Sequence, residues 1–295
     1  VTPKGLFVGL ATLDIVYRIE RLPHPNEKIT AHRQDLAAGG PATNAAVTFA
    51  ALGGEAVLLT ALGPSPVAKV IRDEVERAGV RVIDVAPSLS YAPPVSSVMV
   101  DEATGERAVV GGDAAGTRLD PVPDEVVRPQ LVDVDVVLLD GHHPQLTTPA
   151  GRLAHRADIP VVIDAGRWKP VMQELIGCAD DVVASADFRV PGANDPDQTA
   201  RLLSAMGVPV VVTTAGADPV RWRRGDDCGV VDMAPVEVVD TLGAGDVFHG
   251  AYAHALVAGF ALVDRIRFAG RAAGIRCSHI GPRSWLGAVA RLADP

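Results

Sequence analysis

The sequence predicts an α/β protein: a doubly wound, mostly parallel sheet flanked by helices, with a small separate β subdomain. Three observations carry this. Short apolar runs without polar alternation, such as Val136-Val137-Leu138-Leu139 and Val161-Val162-Ile163, fit strands buried on both faces. Segments of helical period lie between those runs, the βα alternation of a parallel sheet. Two stretches, about 15–36 and 94–111, instead show period two, with Ser96, Val98 and Val100 on one side and Ser97, Met99 and Asp101 on the other.

The strand candidates are Gly5–Ala11, Ala56–Leu62, Val134–Asp140, Pro160–Asp164, Asp181–Ser185 and Val208–Thr214. The helix candidates between them are Pro41–Leu52, Pro66–Ala78, Pro149–Ala157, Pro170–Cys178 and Asp197–Met206. The chain ends in helices over Ala244–Ala258, Val263–Ile280 and Trp285–Leu292. Ala103-Thr104-Gly105 reads as a hairpin turn inside the second period-two stretch. Residues 1–295 are read as a single domain, with the two insertions forming its subdomain.

Composition limits the function. With 295 residues, 48% hydrophobic, the chain can bury one large core. Only 4% is aromatic, so that core is built from Ala, Val and Leu. The net charge of −9 and the lack of a basic stripe argue against nucleic acid as a partner. No apolar run approaches the roughly 18 residues of a membrane span, and the opening residues lack a signal-peptide pattern. Cys178, Cys228 and Cys277 match neither a zinc spacing nor a disulfide framework. A cytoplasmic protein is the expectation.

The most informative stretch is Asp240-Thr241-Leu242-Gly243-Ala244-Gly245-Asp246, followed by an apolar helical pattern at Val247, Phe248, Ala251, Tyr252 and Ala255. Helix N-termini carry unpaired N–H groups and partial positive charge, so they attract phosphate. Gly243, Ala244 and Gly245 have little side chain to keep an anion away. Asp246, in the first turn, could take a proton from a hydroxyl beside that anion. An anion cradle plus a base suits phosphoryl transfer to an alcohol. Upstream, Gly39-Gly40-Pro41-Ala42-Thr43-Asn44 is a second glycine turn entering a helix, and Asn44 offers a donor and an acceptor to hydroxyls. Asp14, Asp140, Asp164, Ser185, Thr213 and Thr214 all fall at carboxyl ends of predicted strands, where open parallel sheets bind ligands.

The two glycine turns resemble the C-terminal and N-terminal signatures of the ribokinase-like (PfkB) carbohydrate kinases, in the right order and near the expected ends. The resemblance implies an ATP-dependent sugar kinase that uses Mg²⁺ and, in many members, K⁺. It also implies a β-sheet lid that often mediates dimerisation. Asp246 matches the base, with the N–H groups of Gly243, Ala244 and Gly245 at the transferring phosphoryl group. Asp14, Gly39, Gly40, Asn44 and Asp140 match substrate contacts, with His142 beside them. Lys28 and Arg107 on the lid are read either as contacts to an anionic group or as solvated charges. Ser185, Thr213, Gly216, Thr241 and Gly281 match the nucleotide side. Asp240 and the backbone at Leu242 match the monovalent-cation loop, and Asp187 is a candidate to hold a metal through water.

The chain also departs from the family pattern. Ala184-Ser185-Ala186-Asp187 stands where an Asn-x-x-Glu motif often organises magnesium, and Ala215-Gly216-Ala217-Asp218 replaces a more glycine-rich phosphate loop. Motifs around Asp240–Asp246 and Arg267–Cys277 are similar to ketohexokinases, and Phe248-His249-Gly250 to sulfofructose kinases. The expected reaction moves the γ-phosphoryl group of ATP to a hydroxyl, a primary one, of a small sugar. A nucleoside kinase of the same family and a non-catalytic sugar or nucleotide sensor stay open as alternatives. A Rossmann-type oxidoreductase is disfavoured, because no G-x-G-x-x-G follows the first strand.

Overall fold

A computed structural model describes residues 2–88, 92–105, 107–112, 114 and 119–293. The chain runs through β1 (Lys4–Val8), β2 (Thr12–Ile19), β3 (Arg33–Gly39), α1 (Pro41–Ala51), β4 (Glu55–Thr60), α2 (Pro66–Arg77) and β5 (Val80–Asp84). Next come β6 (Val95–Asp101), β7 (Arg107–Val110), the short α3 (Asp124–Val127), β8 (Val136–Leu139), α4 (Pro144–Arg156), β9 (Val161–Ala165) and α5 (Met172–Ile176). The remainder is β10 (Asp181–Ser185), α6 (Pro196–Ala205), β11 (Val210–Ala215), β12 (Asp218–Arg224), β13 (Asp227–Val231), α7 (Ala244–Val257), α8 (Leu262–Cys277) and α9 (Leu286–Ala290).

Among the described residues, nine strands form the main sheet in the order β13-β12-β11-β10-β9-β8-β1-β4-β5. All are parallel except the hairpin β12–β13, which runs antiparallel along one edge. The order reverses beside β1: the chain first builds outward through β4 and β5, then returns to β8 on the other side. That reversal opens a crevice beyond the carboxyl ends of β1 and β8. A second sheet, β3-β2-β6-β7, is the predicted subdomain. Its inner residues Val16, Val98 and Val100 pack with Leu242.

Helices cover both faces of the large sheet. Phe7, Phe49, Leu58, Val212 and Tyr252 belong to one core layer, and Leu6, Leu139, Ile163, Val211 and Leu203 to the other. Alternating residues of one strand therefore enter different layers, as the pleat requires. Helices α1 and α7 cross closely because Gly250 has no side chain. A Cβ there would stand 2.3 Å from the Ala45 carbonyl oxygen. No described helix is long and apolar enough to cross a membrane.

Two regions differ from the sequence expectation. Helix α4 starts at Pro144 rather than Pro149. Pro149 cannot donate to the Gln145 carbonyl, yet the helix continues because that carbonyl accepts the Val122 N–H at 3.1 Å. The strands β5 and β12–β13 carry too many charged residues to read as buried strands. They lie at the sheet edges, where one side is solvated.

Candidate active site

The crevice is floored by the turns that follow β1, β8 and β9. Asp140, 1% exposed, ties two of these together. Its Oδ2 accepts the N–H groups of Leu10 at 2.9 Å and Ala42 at 3.1 Å, and its Oδ1 accepts the N–H of His142 at 2.9 Å. His142 Nδ1 lies 3.1 Å from the same Oδ1. Burial opposes the charge, but His142, Lys169 and the Leu10 N–H outweigh it, holding the carboxyl well below its usual range. Asp140 thus anchors the start of α1, and its oxygens are engaged by the protein itself. Neighbouring His143 adopts a left-handed backbone at the start of α4, and burial lowers its imidazole to about 4.

Over this floor, the N-terminus of α7 meets α1. Gly243 caps α7 with φ 71°, a conformation that favours glycine. The Asn44 amide nitrogen donates to Asp246 Oδ2 at 2.7 Å, joining the two glycine turns directly. Burial pushes Asp246 up to about 6, reinforced by the charge of Asp164 and opposed by the Asn44 hydrogen bond. That value leaves the carboxylate largely ionised at neutral pH and well placed to accept a proton. Of the three expected anion donors, Ala244 turns its N–H toward the Thr241 carbonyl at 3.3 Å.

Beside this turn lies a narrow cleft lined by Asp14, Ala38, Asn44, Gly243, Arg276 and Arg283. Asp14 accepts the Thr12 hydroxyl at 2.8 Å, and burial raises its pKa. Gly39 leaves the space that this carboxylate occupies, since a Cβ would stand 2.0 Å from Asp14 Oδ2. Gly40 opens α1 beside them. Arg283 joins the group from the loop before α9. It donates to Glu74 Oε1 and Asn44 Oδ1, each at 3.0 Å, and to the Ala38 carbonyl. A guanidinium only donates, so it fixes the Asn44 amide with its nitrogen toward Asp246.

The remaining predicted residues are spread more widely. Arg107, on β7, donates to Thr241 Oγ1 at 2.9 Å, and Thr241 Oγ1 donates to the Gly105 carbonyl at 3.2 Å. Both contacts join the small sheet to the α7 turn. Lys28 is exposed on the long connection between β2 and β3. Ser185 donates to the Gly166 carbonyl at 2.9 Å, and Thr213 is buried on β11 just before a register shift toward Ala215. Gly216 turns the chain into β12 with φ 59°. Asp187 is exposed after β10. Asp240 is 1% exposed and faces Arg18 and Arg276, while the Gly281 N–H donates to its Oδ2 at 3.2 Å.

Two groups read from the sequence meet only in three dimensions. Asp164, buried at the end of β9, has an Oδ2 with no partner, and its Oδ1 lies 3.4 Å from His249 Nε2. His249 turns both ring nitrogens toward carbonyls, Nδ1 to Gly245 at 2.7 Å and Nε2 to Val183 at 3.1 Å. It thereby fastens the α7 turn to β10. The strand-end position flagged Asp164 in the sequence, and His249 stood inside the Phe248-His249-Gly250 motif, but neither signal showed that the two side chains meet.

Comparison with known proteins agrees with this fold. The profile described as pfkB family carbohydrate kinase matches residues 3–286. The ribokinase of Bacillus subtilis is 26% identical over 280 residues, covering 93% of this chain and 92% of its own. The structure of Arabidopsis thaliana ribokinase with ribose and ATP superposes with a TM-score of 0.78 at 24% identity, over 100% of both chains. An adenosine kinase from Sinorhizobium meliloti superposes with a TM-score of 0.79 at 21% identity, over 99% of this chain and 100% of its own.

Proposed function

The chain belongs to the pfkB family of carbohydrate kinases, phosphotransferases with an alcohol group as acceptor, and from that premise we propose that it transfers the γ-phosphoryl group of ATP to a primary hydroxyl of a small sugar or sugar derivative. One observation carries the reading: Asp246, pushed up to about 6, sits in the first turn of α7 beside the Gly243–Gly245 turn and is held by Asn44.

The acceptor binds in the cleft between Asp14, Asn44 and Arg283, where carboxylate, amide and guanidinium offer both acceptors and donors to hydroxyl groups. Asp246 removes the proton from the attacking hydroxyl. The N–H groups at the start of α7 and the helix dipole stabilise charge on the transferring group. ATP lies along the β10–β11 ends, near Ser185, Thr213 and Gly216. The small sheet acts as a lid, and its contacts from Arg107 and Gly105 to Thr241 connect lid position to the phosphoryl-binding turn. A closed lid excludes water and so suppresses hydrolysis of ATP.

Among the described residues no group of three or more His, Cys, Asp or Glu could hold a metal. Mg²⁺ commonly binds through one or two carboxylates together with substrate phosphates, which would supply charge neutralisation here. Asp164, with its unpartnered buried Oδ2, is the carboxylate with capacity to hold it, directly or through water. Bound there, Mg²⁺ would neutralise phosphate charge. The outer row of the small sheet, Leu36–Ile15–Ser97–Val110, leaves Leu36 59% and Val110 67% exposed. That apolar row supports a homodimer through the lid, which light scattering would test. The free cysteines suit a cytoplasmic setting.

A coupled ATP-consumption assay over ketohexoses, aldopentoses, phosphorylated and sulfonated sugars, and nucleosides tests the reading. Turnover with a sugar, lost in Asp246→Asn, supports it. Turnover with nucleosides alone would reassign the acceptor class. ATP binding without turnover on any acceptor would favour a sensor.

A further inference from the structure

We propose that the guanidinium groups of Arg18 and Arg276 serve as a built-in cation for the Asp240 loop, so that neither stability nor turnover of this protein depends on K⁺ or another exchangeable monovalent cation. The resemblance of the loop to a monovalent-cation site raised the opposite expectation. The Asp240 carboxylate and the carbonyls of Val239, Asp240, Cys277 and His279 are already engaged by the protein itself.

Asp240 Oδ1 accepts the Leu242 N–H at 3.0 Å and lies 3.1 Å from Arg276 Nη2. Its Oδ2 lies 3.4 Å from Arg18 Nη1 and accepts the Gly281 N–H at 3.2 Å. Of the roughly four lone-pair sites of a carboxylate, three accept hydrogen bonds, and the fourth faces Arg276 Nη2 at ion-pair distance. The surrounding carbonyls are spent as well. Arg276 Nη1 donates to the carbonyls of Asp240 at 3.3 Å and His279 at 2.9 Å. Arg18 Nη2 donates to the Val239 carbonyl at 3.1 Å. The Cys277 carbonyl accepts the N–H groups of Val239 and Asp240. K⁺ binds by exchanging its hydration shell for oxygen ligands, and these oxygens already have donors from the chain itself.

Charge balance points the same way. Arg18 and Arg276 are 4% and 2% exposed, so each needs a compensating anion. Asp240 supplies one, and Glu102, whose Oε1 lies 3.7 Å from Arg18 Nε, supplies the other. A further cation would leave uncompensated positive charge in a buried site. Leu242, held by Asp240, directly precedes Gly243, the cap of α7. Arg18 comes from β2 of the small sheet and Arg276 from the end of α8. The pair therefore fixes the phosphoryl-binding turn from both sides, the role an exchangeable ion would otherwise fill. Arg18 and Arg276 act here through the Asp240 loop as positioning residues; Arg276 also lines the cleft, so rescue of its variant by K⁺ is the readout that separates the two roles.

The turnover arm of the test rests on the kinase reading; the melting arm does not. Melting temperature and turnover would be measured at constant ionic strength in about 0.1 M K⁺, Na⁺ or tetramethylammonium chloride. The expected result is turnover equal within about twofold and melting within about 1 °C in all three. Arg276→Gln and, independently, Arg18→Gln should each lose roughly tenfold or more in kcat/KM, the worth of one charged hydrogen bond. Each should regain part of the loss, and melt higher, in K⁺ but not in tetramethylammonium. A wild-type protein that K⁺ selectively activates several-fold and stabilises would overturn the proposal. So would both variants matching wild type in tetramethylammonium. If one variant does not fold, the wild-type comparison and the other variant still decide. If no acceptor is turned over, the kinase reading fails, and melting alone decides the cation question.

Discussion

Replacing Asp246 by Asn should lower activity and raise stability at once. The carboxyl sits at about 6 in the folded protein against an ordinary value near 4. A difference of roughly two pH units corresponds to about 3 kcal/mol favouring the neutral form. Asp246 keeps some solvent access, so the realistic figure is about 1–2 kcal/mol after screening. The sign follows from the raised folded value. The penalty for the charged form is fully present above about pH 6 and absent below the unfolded carboxylate value. Asn removes that charge yet can still accept the Asn44 N–H through its own amide oxygen. Melting should therefore rise by roughly 2–5 °C at pH 8, and the gain should vanish toward pH 4. In the same variant kcat should fall by about 10²–10⁴, the usual worth of a general base. Differential scanning calorimetry at the two pH values, with a coupled ATPase assay at pH 8, reads both effects. A near-wild-type kcat would refute the base assignment, and equal melting at pH 8 would refute the buried-charge account.

Three further outcomes follow from the same contacts. The kcat–pH profile should show an acid limb near 6, with activity lost as pH falls through that value, because only ionised Asp246 accepts a proton; a flat profile down to pH 5 would contradict this. Arg283→Met removes the donors to Glu74, Asn44 and the Ala38 carbonyl and should cost about 2–4 kcal/mol in urea unfolding, the lower range for breaking a part-buried ion pair. It also frees the Asn44 amide to rotate, so the acid limb of kcat should move upward, which a purely structural loss would not cause. Gly250→Ala places a methyl 2.3 Å from the Ala45 carbonyl oxygen, so α1 and α7 must separate, at about 1–3 kcal/mol; unchanged urea stability would rule out that close crossing.

What the sequence made legible is local. The buried strands announced themselves because both faces are apolar, and α1 and α7 because a glycine turn precedes a helical period. Edge strands β5 and β12–β13 did not, since half of each faces solvent and carries charge. The site divides in the same way. Gly243–Asp246 and Gly39–Asn44 are contiguous motifs, so their chemistry could be read from spacing. The residues that hold those motifs in place are not contiguous. Arg18 reaches Asp240 across 222 positions, and Arg283 reaches Asn44 across 239. Each such arginine reads in the sequence as one more surface charge, and only the fold shows it packed against a carboxylate or an amide. Asp240 makes the point most directly. Its motif was legible, but the identity of its counter-charge was not, because that depends on side chains from β2 and α8. A short motif therefore identifies the reaction the turn supports, while long-range arginines determine what keeps the turn in shape.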